Sequence, residues 1–246
     1  MIAFGTGRRM PFLALLLLLF LIEWLLLAIS PYDRHDWALE NVLVVVLLVP
    51  LVLTRRIFPL SALSYTLVFA FLAIHEIGAH YTYAMVPYDD WLFGLTGYRL
   101  NELFGWQRNH FDRMVHFSYG LLLAYPMREV FFRVADARGF WGYFLPLDLT
   151  MSTSMLFELF EWGAAELFGG ELGIAYLGTQ GDIWDAHKDM ALASLGALIA
   201  MLVTLAINLY LRRDVGRELA ASLRVKHPEP LGEREIHRLW HKRNRS

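Results

Sequence analysis

Cysteine is absent from all 246 residues, which excludes disulfides, Cys-ligated zinc and iron–sulfur clusters. Charge is scarce as well. Asp, Glu, Lys and Arg make up 19% of the chain, and the net charge is −2 with the nine histidines neutral. Bulk electrostatics therefore gives no reason to expect a nucleic-acid partner. There is no Gly-x-Ser-x-Gly elbow, no phosphate-binding glycine loop and no Pro-Ser-Gly-His pattern of the lipid phosphatases. Nucleophilic-elbow and nucleotide-loop chemistry are left without support. No segment repeats at a fixed period and none is of low complexity.

What the chain has in abundance is apolar sequence: 57% hydrophobic residues and a mean hydropathy of +0.40, gathered in long runs. This excludes a disordered chain, a collagen-like repeat and an ordinary cytosolic enzyme. A bilayer core of about 30 Å takes roughly 20 apolar helical residues. Six segments meet that need, at about 10–29, 39–54, 59–83, 113–134, 140–165 and 189–211. The second is the weakest, being short and holding Pro50. The predicted fold is all-α, a polytopic membrane bundle of about six transmembrane helices over residues 1–211, followed by a basic tail, 212–246. Arg8 and Arg9 ahead of an apolar run ending at Ala28-Ile29-Ser30 have the outline of a signal peptide. The length of that run and Glu23 within it favour a retained helix.

The Lys and Arg residues set the expected orientation. Seventeen of the 22 fall on one side (Arg8, Arg9, Arg55, Arg56, Arg128, Arg133, Arg138 and ten in the tail). The positive-inside rule then makes both termini cytoplasmic. Pro228 and Pro230 interrupt the tail, which reads as a solvated segment near anionic lipid. Membrane lipids are the expected partners.

Ionisable residues inside a membrane are costly and mark function. At 1.5 Å per residue, Glu76 and His80 lie roughly 26 and 31 Å above Pro59, and Glu158 and Glu161 roughly 27 and 31 Å above Phe140. The fourth and sixth segments enter from the other side with Asp112, Arg113 and His116, and with Asp185, Lys188 and Asp189. Four helices thus carry His or carboxylate at one depth, and Glu23 lies in the same half. Spacings of three or four residues put Glu76 with His80, Asp112 with His116, Glu158 with Glu161, and Asp185 with Asp189 on single helix faces. Imidazole and carboxylate together suit zinc, manganese or iron, and helical bundles hold dinuclear carboxylate centres with such paired ligands. The alternative is a set of interfacial hydrogen-bonding groups. The candidate ligands are Glu76, His80, His116, Glu158, Glu161, Asp185 and Asp189. Asp112 or His110 would serve as general base, with Arg113 placing an anion.

Other features are weaker. His75 and His80 lie five apart, about 140° around a helix, so they do not form the metalloprotease box, whose histidines share a face. Their spacing fits one form of the di-iron desaturase histidine box, but no second box with adjacent histidines follows. Ser152, Thr153 and Ser154 suit helix–helix hydrogen bonding, and Asp148 is either a proton-relay step or a polar contact between helices. The outer loops 84–111 and 166–184 are long enough to be functional. Trp91, Trp106 and Trp184 suit an interfacial belt, while Arg108, Arg113 and Lys188 either bind an anionic ligand or pair with nearby acids.

The segments Asn109-His110-Phe111-Asp112-Arg113-Met114-Val115-His116-Phe117, His75-Glu76-Ile77-Gly78-Ala79-His80, Glu158-Leu159-Phe160-Glu161-Trp162 and Leu177–Met190 resemble the YjdF-like bacterial inner-membrane proteins over roughly residues 40–210. The resemblance implies a fold and an inner-membrane location, not a reaction. A fainter similarity links Asp112, Arg113, His116, Glu158, Asp185 and Asp189 to VanZ-like membrane proteins, with Glu161 where those often carry Gln. The leading functional expectation is a metal-dependent cell-envelope enzyme acting on a lipid-linked or amphiphilic substrate. The alternatives are a proton- or cation-coupled transporter and a non-catalytic assembly subunit.

Overall fold

A computed structural model describes residues 6–168, 179–211, 214–226 and 232–243. The described residues form ten helices and no strand: α1 (Thr6–Leu27), α2 (Arg34–Thr54), α3 (Ala62–His80), α4 (Tyr88–Thr96), α5 (Leu100–Phe104), α6 (Phe111–Val134), α7 (Trp141–Phe168), α8 (Asp185–Tyr210), α9 (Val215–Ser222) and α10 (Glu233–Arg243). Among them α2, α3 and α8 are long and apolar enough to cross a membrane, and α1 carries a shorter apolar stretch, Pro11–Leu27. Helices α6 and α7, with 24 and 28 residues, have the length. Their apolar character is diluted by Asp112, Arg113 and Glu129 in one and Glu158 and Glu161 in the other.

The second apolar segment turns out longer than its sequence suggests. Asp33 caps α2 by accepting the His35 and Asp36 amides at 2.7 and 3.0 Å, so the helix starts at Arg34. Pro50 does not stop it. Proline removes one donor and leaves only the carbonyl four residues before it without its helical partner, and the helix continues past it to Thr54, whose hydroxyl bonds the Pro50 carbonyl at 2.7 Å.

Helix α6 is the centre of the bundle. It packs most extensively on α8 and also on α3 and α7, while α7 reaches α8, and α1 and α2 attach through α3. Small residues set the α6–α8 contact. A Cβ on Gly120 would fall on the Ala193 carbonyl, and one on Gly196 would fall on the Phe117 carbonyl. Ala193 and Ala197 are fully buried on the same face. With lipid as solvent, such close backbone approach is what drives helices together.

The end of the bundle holding Arg55 and Arg133 is tied by a carboxylate. Glu129 accepts the Ser61 amide at 2.8 Å and the Ser64 hydroxyl at 2.6 Å, and pairs with Arg133 at 3.1 Å. Glu129→Ala leaves these donors without their acceptor and is expected to cost about 2 kcal/mol, read from equilibrium unfolding in mixed micelles. The tail is not wholly solvated, since α9 packs on the α6–α7 turn. Ser222 accepts the Phe140 amide at 2.9 Å, and its carbonyl accepts the Trp141 indole at 3.0 Å. At the opposite end the 84–111 loop holds α4 and α5, neither with a buried residue. In the 166–184 loop, α7 runs on to Phe168, and the glycine-rich run 169–178 lies outside the described residues.

Candidate metal centre

The first turns of α6 and α8 start at the same end of the bundle, held side by side by the glycine contacts below them. His110, the N-cap of α6, makes no capping bond with its side chain, and the Asn109 side chain before it accepts the Phe111 amide at 2.9 Å. Asp112 and His116 follow on one face, and Asp189 faces them from α8. One ligand atom each of Asp112, His116 and Asp189 lie within 4.8 Å of one another.

His116 shows what the cluster is spaced for. Its Nε2 lies 3.6 Å from Asp112 Oδ1 and 3.5 Å from Glu158 Oε1. Two ligands of a tetrahedral ion, each about 2.1 Å from the metal, stand roughly 3.4 Å apart. The imidazole is thus spaced from its carboxylates as ligands of a shared ion are, at distances long for a charge-assisted hydrogen bond. Asp189 is 2% exposed, and its Oδ1, like Glu158 Oε1, has no hydrogen-bond partner. Buried acceptors without a donor are costly, and a cation held by Asp112, His116 and Asp189 would satisfy the Asp189 oxygen. Glu161, three residues after Glu158 on the same face, faces Glu158, Asp112 and Asp189.

The sequence candidates Arg113 and Asp185 belong to a clasp above this centre. Arg108 grips Asp185 with both terminal nitrogens, Nη2 at 3.1 Å from Oδ2. Arg113 Nη2 reaches Asp182 at 2.5 Å and Asp185 at 3.1 Å. Lys188 joins Asp182 at 2.5 Å. The side chain of Gln180 and the backbone of Asn109 exchange two more bonds, at 2.9 and 3.1 Å. Arg108, Arg113 and Lys188 are therefore taken up by acids rather than left for an anion, and Asp185 is committed to guanidinium. The Lys188 ammonium, the Trp184 amide and the Arg113 guanidinium hold the Asp182 carboxyl well below the ordinary carboxylate range. With a lowered folded-state value, its contribution is complete above about pH 4 and is lost only as pH falls further. Asp185→Ala takes from Arg108 its bidentate carboxylate and leaves Arg113 with Asp182 alone. It is expected to cost about 3 kcal/mol, read from equilibrium unfolding in mixed micelles.

A second polar group, missed at the sequence level, adjoins the centre. His75 Nε2–H donates to the Glu40 carbonyl at 3.2 Å, so Nδ1 accepts the Tyr83 hydroxyl at 2.6 Å. That hydroxyl also stands 3.3 Å from Glu40 Oε2. Thr82 and Tyr83 have φ of 53° and 52°, a left-handed conformation that bulky side chains rarely adopt. The Tyr83 amide bonds the Gly78 carbonyl at 2.8 Å, and its ring covers Gly78, where any Cβ would collide with it. The signal available was Glu40 itself, a carboxylate at the start of an apolar run.

The remaining sequence candidates lie apart. Glu76 is fully buried but turns toward α1 and α2, beside Glu23, Trp37 and Asn41. His80 Nδ1–H donates to the Leu27 carbonyl at 2.7 Å, which ties α3 to the end of α1, and its ring meets Tyr81 edge-on. His110 rests on the Trp106 ring at 4.2 Å, with Arg113 Nη1 at 3.4 Å from its Nδ1. Burial, then Arg113 and Arg108, lower its pKa and keep it neutral. Asp148 is exposed on the outer face of α7. Thr153 donates to the Leu149 carbonyl at 2.6 Å and contacts Tyr119, a helix-to-helix bond of the kind its position suggests.

Comparison with known proteins gives the chain relatives but no reaction. The model of a family described as predicted membrane protein (DUF2238) matches residues 12–209, which takes the sequence resemblance back into α1 and ends before the tail. The inner membrane protein YjdF of Escherichia coli (strain K12) is 38% identical over 175 residues, covering 71% of this chain and 79% of that protein. No solved structure matches. With a match that spans the whole helical bundle and a curated relative at this identity, the chain belongs to the DUF2238 family of membrane proteins.

Proposed function

We propose that the chain is a metal-dependent enzyme of the cell envelope, with a centre between α6, α7 and α8 that acts on a lipid-linked or amphiphilic substrate. The observation that carries this reading is the grouping of Asp112, His116 and Asp189 within 4.8 Å, with one buried Asp189 oxygen unpaired and Glu158 at 3.5 Å from His116. Asp112, His116 and Asp189 supply three ligands. Three protein ligands leave a position for water or substrate, the pattern of catalytic rather than structural ions. One nitrogen among carboxylate oxygens suits zinc, manganese or iron(II). Such an ion, when bound, would lower the pKa of a water and polarise a substrate oxygen. Glu158, beside His116, is placed to take a proton from that water, with Glu161 behind it. The position inside a membrane bundle selects a substrate that reaches it from lipid. The exposed side chains of Phe93, Tyr98, Leu103 and Phe104 on and between α4 and α5 suit an interfacial surface at that end.

In this reading six helices cross the membrane, both termini lie in the cytoplasm and the centre opens outward. The absence of cysteine makes the topology directly measurable. With Leu95→Cys and Val225→Cys as the sole thiols, a membrane-impermeant maleimide added to intact spheroplasts labels the first and not the second. The reverse pattern overturns the orientation. For the activity, metal-loaded protein in nanodiscs is assayed against a panel of lipid-linked diphosphates and phospholipids. Turnover that is lost on chelation, restored by one metal and absent in Glu158→Gln with metal retained supports the reading. Fully loaded protein inert across the panel rejects it. Exposed Asp148 offers no interior step toward the cytoplasm, so a site is favoured over a transport path.

A further inference from the structure

Helices α1 and α2 meet at one end and part toward the other. At the closed end Trp24 Nε1 donates to Asn41 Oδ1 at 2.5 Å, and the Trp24 and Trp37 rings lie 5.7 Å apart. Both helices lean on α3 more than on each other. Where they part, the three helices leave a groove of about 310 Å³ walled by Leu13 and Leu16 of α1, Leu48 and Leu51 of α2, and Val68 and Phe69 of α3. That volume is at the lower bound of ordinary ligand sites. A dry wedge between membrane helices forfeits dispersion contacts along both walls, and nothing in the lining between its ends would hold water.

The groove's lining has one charged side chain, and the Tyr65 hydroxyl in it already accepts the Leu60 amide at 3.3 Å. Arg55, the C-cap of α2, stands in its lining, and Arg56 follows it in sequence. Arg55 Nη1 donates to the Val52 carbonyl at 2.6 Å, and among the described residues its other donors have no acceptor. The membrane acids Glu23, Glu40 and Glu76 lie toward the opposite end, beyond Phe20 and Leu72, and no carboxylate lines the groove. From Arg55 to Leu48 the walls run about 10 Å along the helix. The matching ligand has a long apolar chain and an anionic head at the Arg55 end.

We propose that this groove is a resident-lipid site, in which one acyl chain of an anionic phospholipid lies between α1 and α2 on α3 with its phosphate on Arg55. The lipid completes the bundle where α1 and α2 fail to pack, and it belongs to the leaflet that holds Arg55. The metal reading is independent of it, because the groove shares no residue with the Asp112–His116–Asp189 centre.

The test is native mass spectrometry of the full chain in mild detergent, with phosphatidylglycerol or diacylglycerol of the same chains added. Wild-type protein retains one phosphatidylglycerol, Arg55→Gln weakens it at least tenfold, and Leu51→Trp, which fills the groove, abolishes it. Leu53→Trp, on the exposed side of the same helix, retains it. Leu16→Trp fills the groove from the facing wall and replaces Leu51→Trp if that variant unfolds. The proposal is overturned if no lipid stays bound, if diacylglycerol binds as tightly, or if the groove-filling variants match Leu53→Trp. Metal content measured on the same samples reports separately on the centre.

Discussion

His116→Ala and Asp189→Asn each lower the metal bound by purified protein from about one ion per chain by tenfold or more, measured by plasma mass spectrometry after incubation with zinc, manganese or iron(II). Both residues supply an atom to the group within 4.8 Å. Asn has the size of Asp but lacks its charge, so Asp189→Asn separates ligation from packing. The two states should respond in opposite directions. Without metal, Asp189→Asn relieves carboxylate crowding against Asp112 and Glu158 and unfolds at higher denaturant than wild type. With saturating metal, wild type gains the linkage term of about 2.7 kcal/mol at a hundredfold excess over Kd, and the variant does not. If folded wild-type protein takes up no metal under these conditions, the cluster is a packing network and the enzymatic reading falls with it.

Gly120→Val and Gly196→Val should each prevent recovery of stable protein. The added atoms meet backbone of the facing helix, the Ala193 carbonyl in one case and the Phe117 carbonyl in the other. Backbone cannot turn aside as a side chain can, so α6 and α8 must separate. Overpacking of a tight contact costs about 3 kcal/mol at the upper end of its common range, and here two helices lose register along their length. Gly163→Ala in α7 is the control, because a Cβ there meets nothing within 4 Å. It should be neutral or stabilising by up to about 1 kcal/mol. Unfolding midpoints in mixed micelles that are equal for Gly120→Val and Gly163→Ala would reject this account of the helix contact. The distance is also functional, since Gly120 lies one turn below His116, and Gly196 lies below Asp189. A milder Gly120→Ala that folds should still bind metal more weakly.

Helical periodicity carried much of the site. A rise of 1.5 Å per residue set Asp112, His116, Glu158, Glu161 and Asp189 at one depth, and spacings of three and four put them on shared faces. The structure brings Asp112, His116 and Asp189 within 4.8 Å of one another and sets Glu158 3.5 Å from His116. Glu76 and His80 satisfied the same rule, yet one turns to α1 and α2 and the other to the Leu27 carbonyl. Spacing states which residues share a face. It does not state which neighbour that face meets. Arg113 and Asp185 illustrate a second limit, because a cation beside acids reads equally as an anion site or as a salt bridge. The partner that decides, Asp182, comes from a loop whose path sequence does not fix, and it meets both Arg113 and Lys188. Tyr83 was hidden by its backbone, since only two consecutive left-handed residues swing its hydroxyl back to His75.

Composition and pattern by themselves determined that the chain is helical and lives in a membrane, and that its costly polar residues gather toward one end. Those properties follow from transfer free energy and helix geometry, which act on each segment alone. The tertiary structure decided which of the polar faces meet. It did so through the glycine contact that sets α6 against α8, through the clasp that removes three cations from the site, and through the splay of α1 from α2. The glycine contact and the Arg108–Asp185 pair join residues more than seventy positions apart, and all three are matters of contact between elements, to which no single segment is subject until its neighbour is in place.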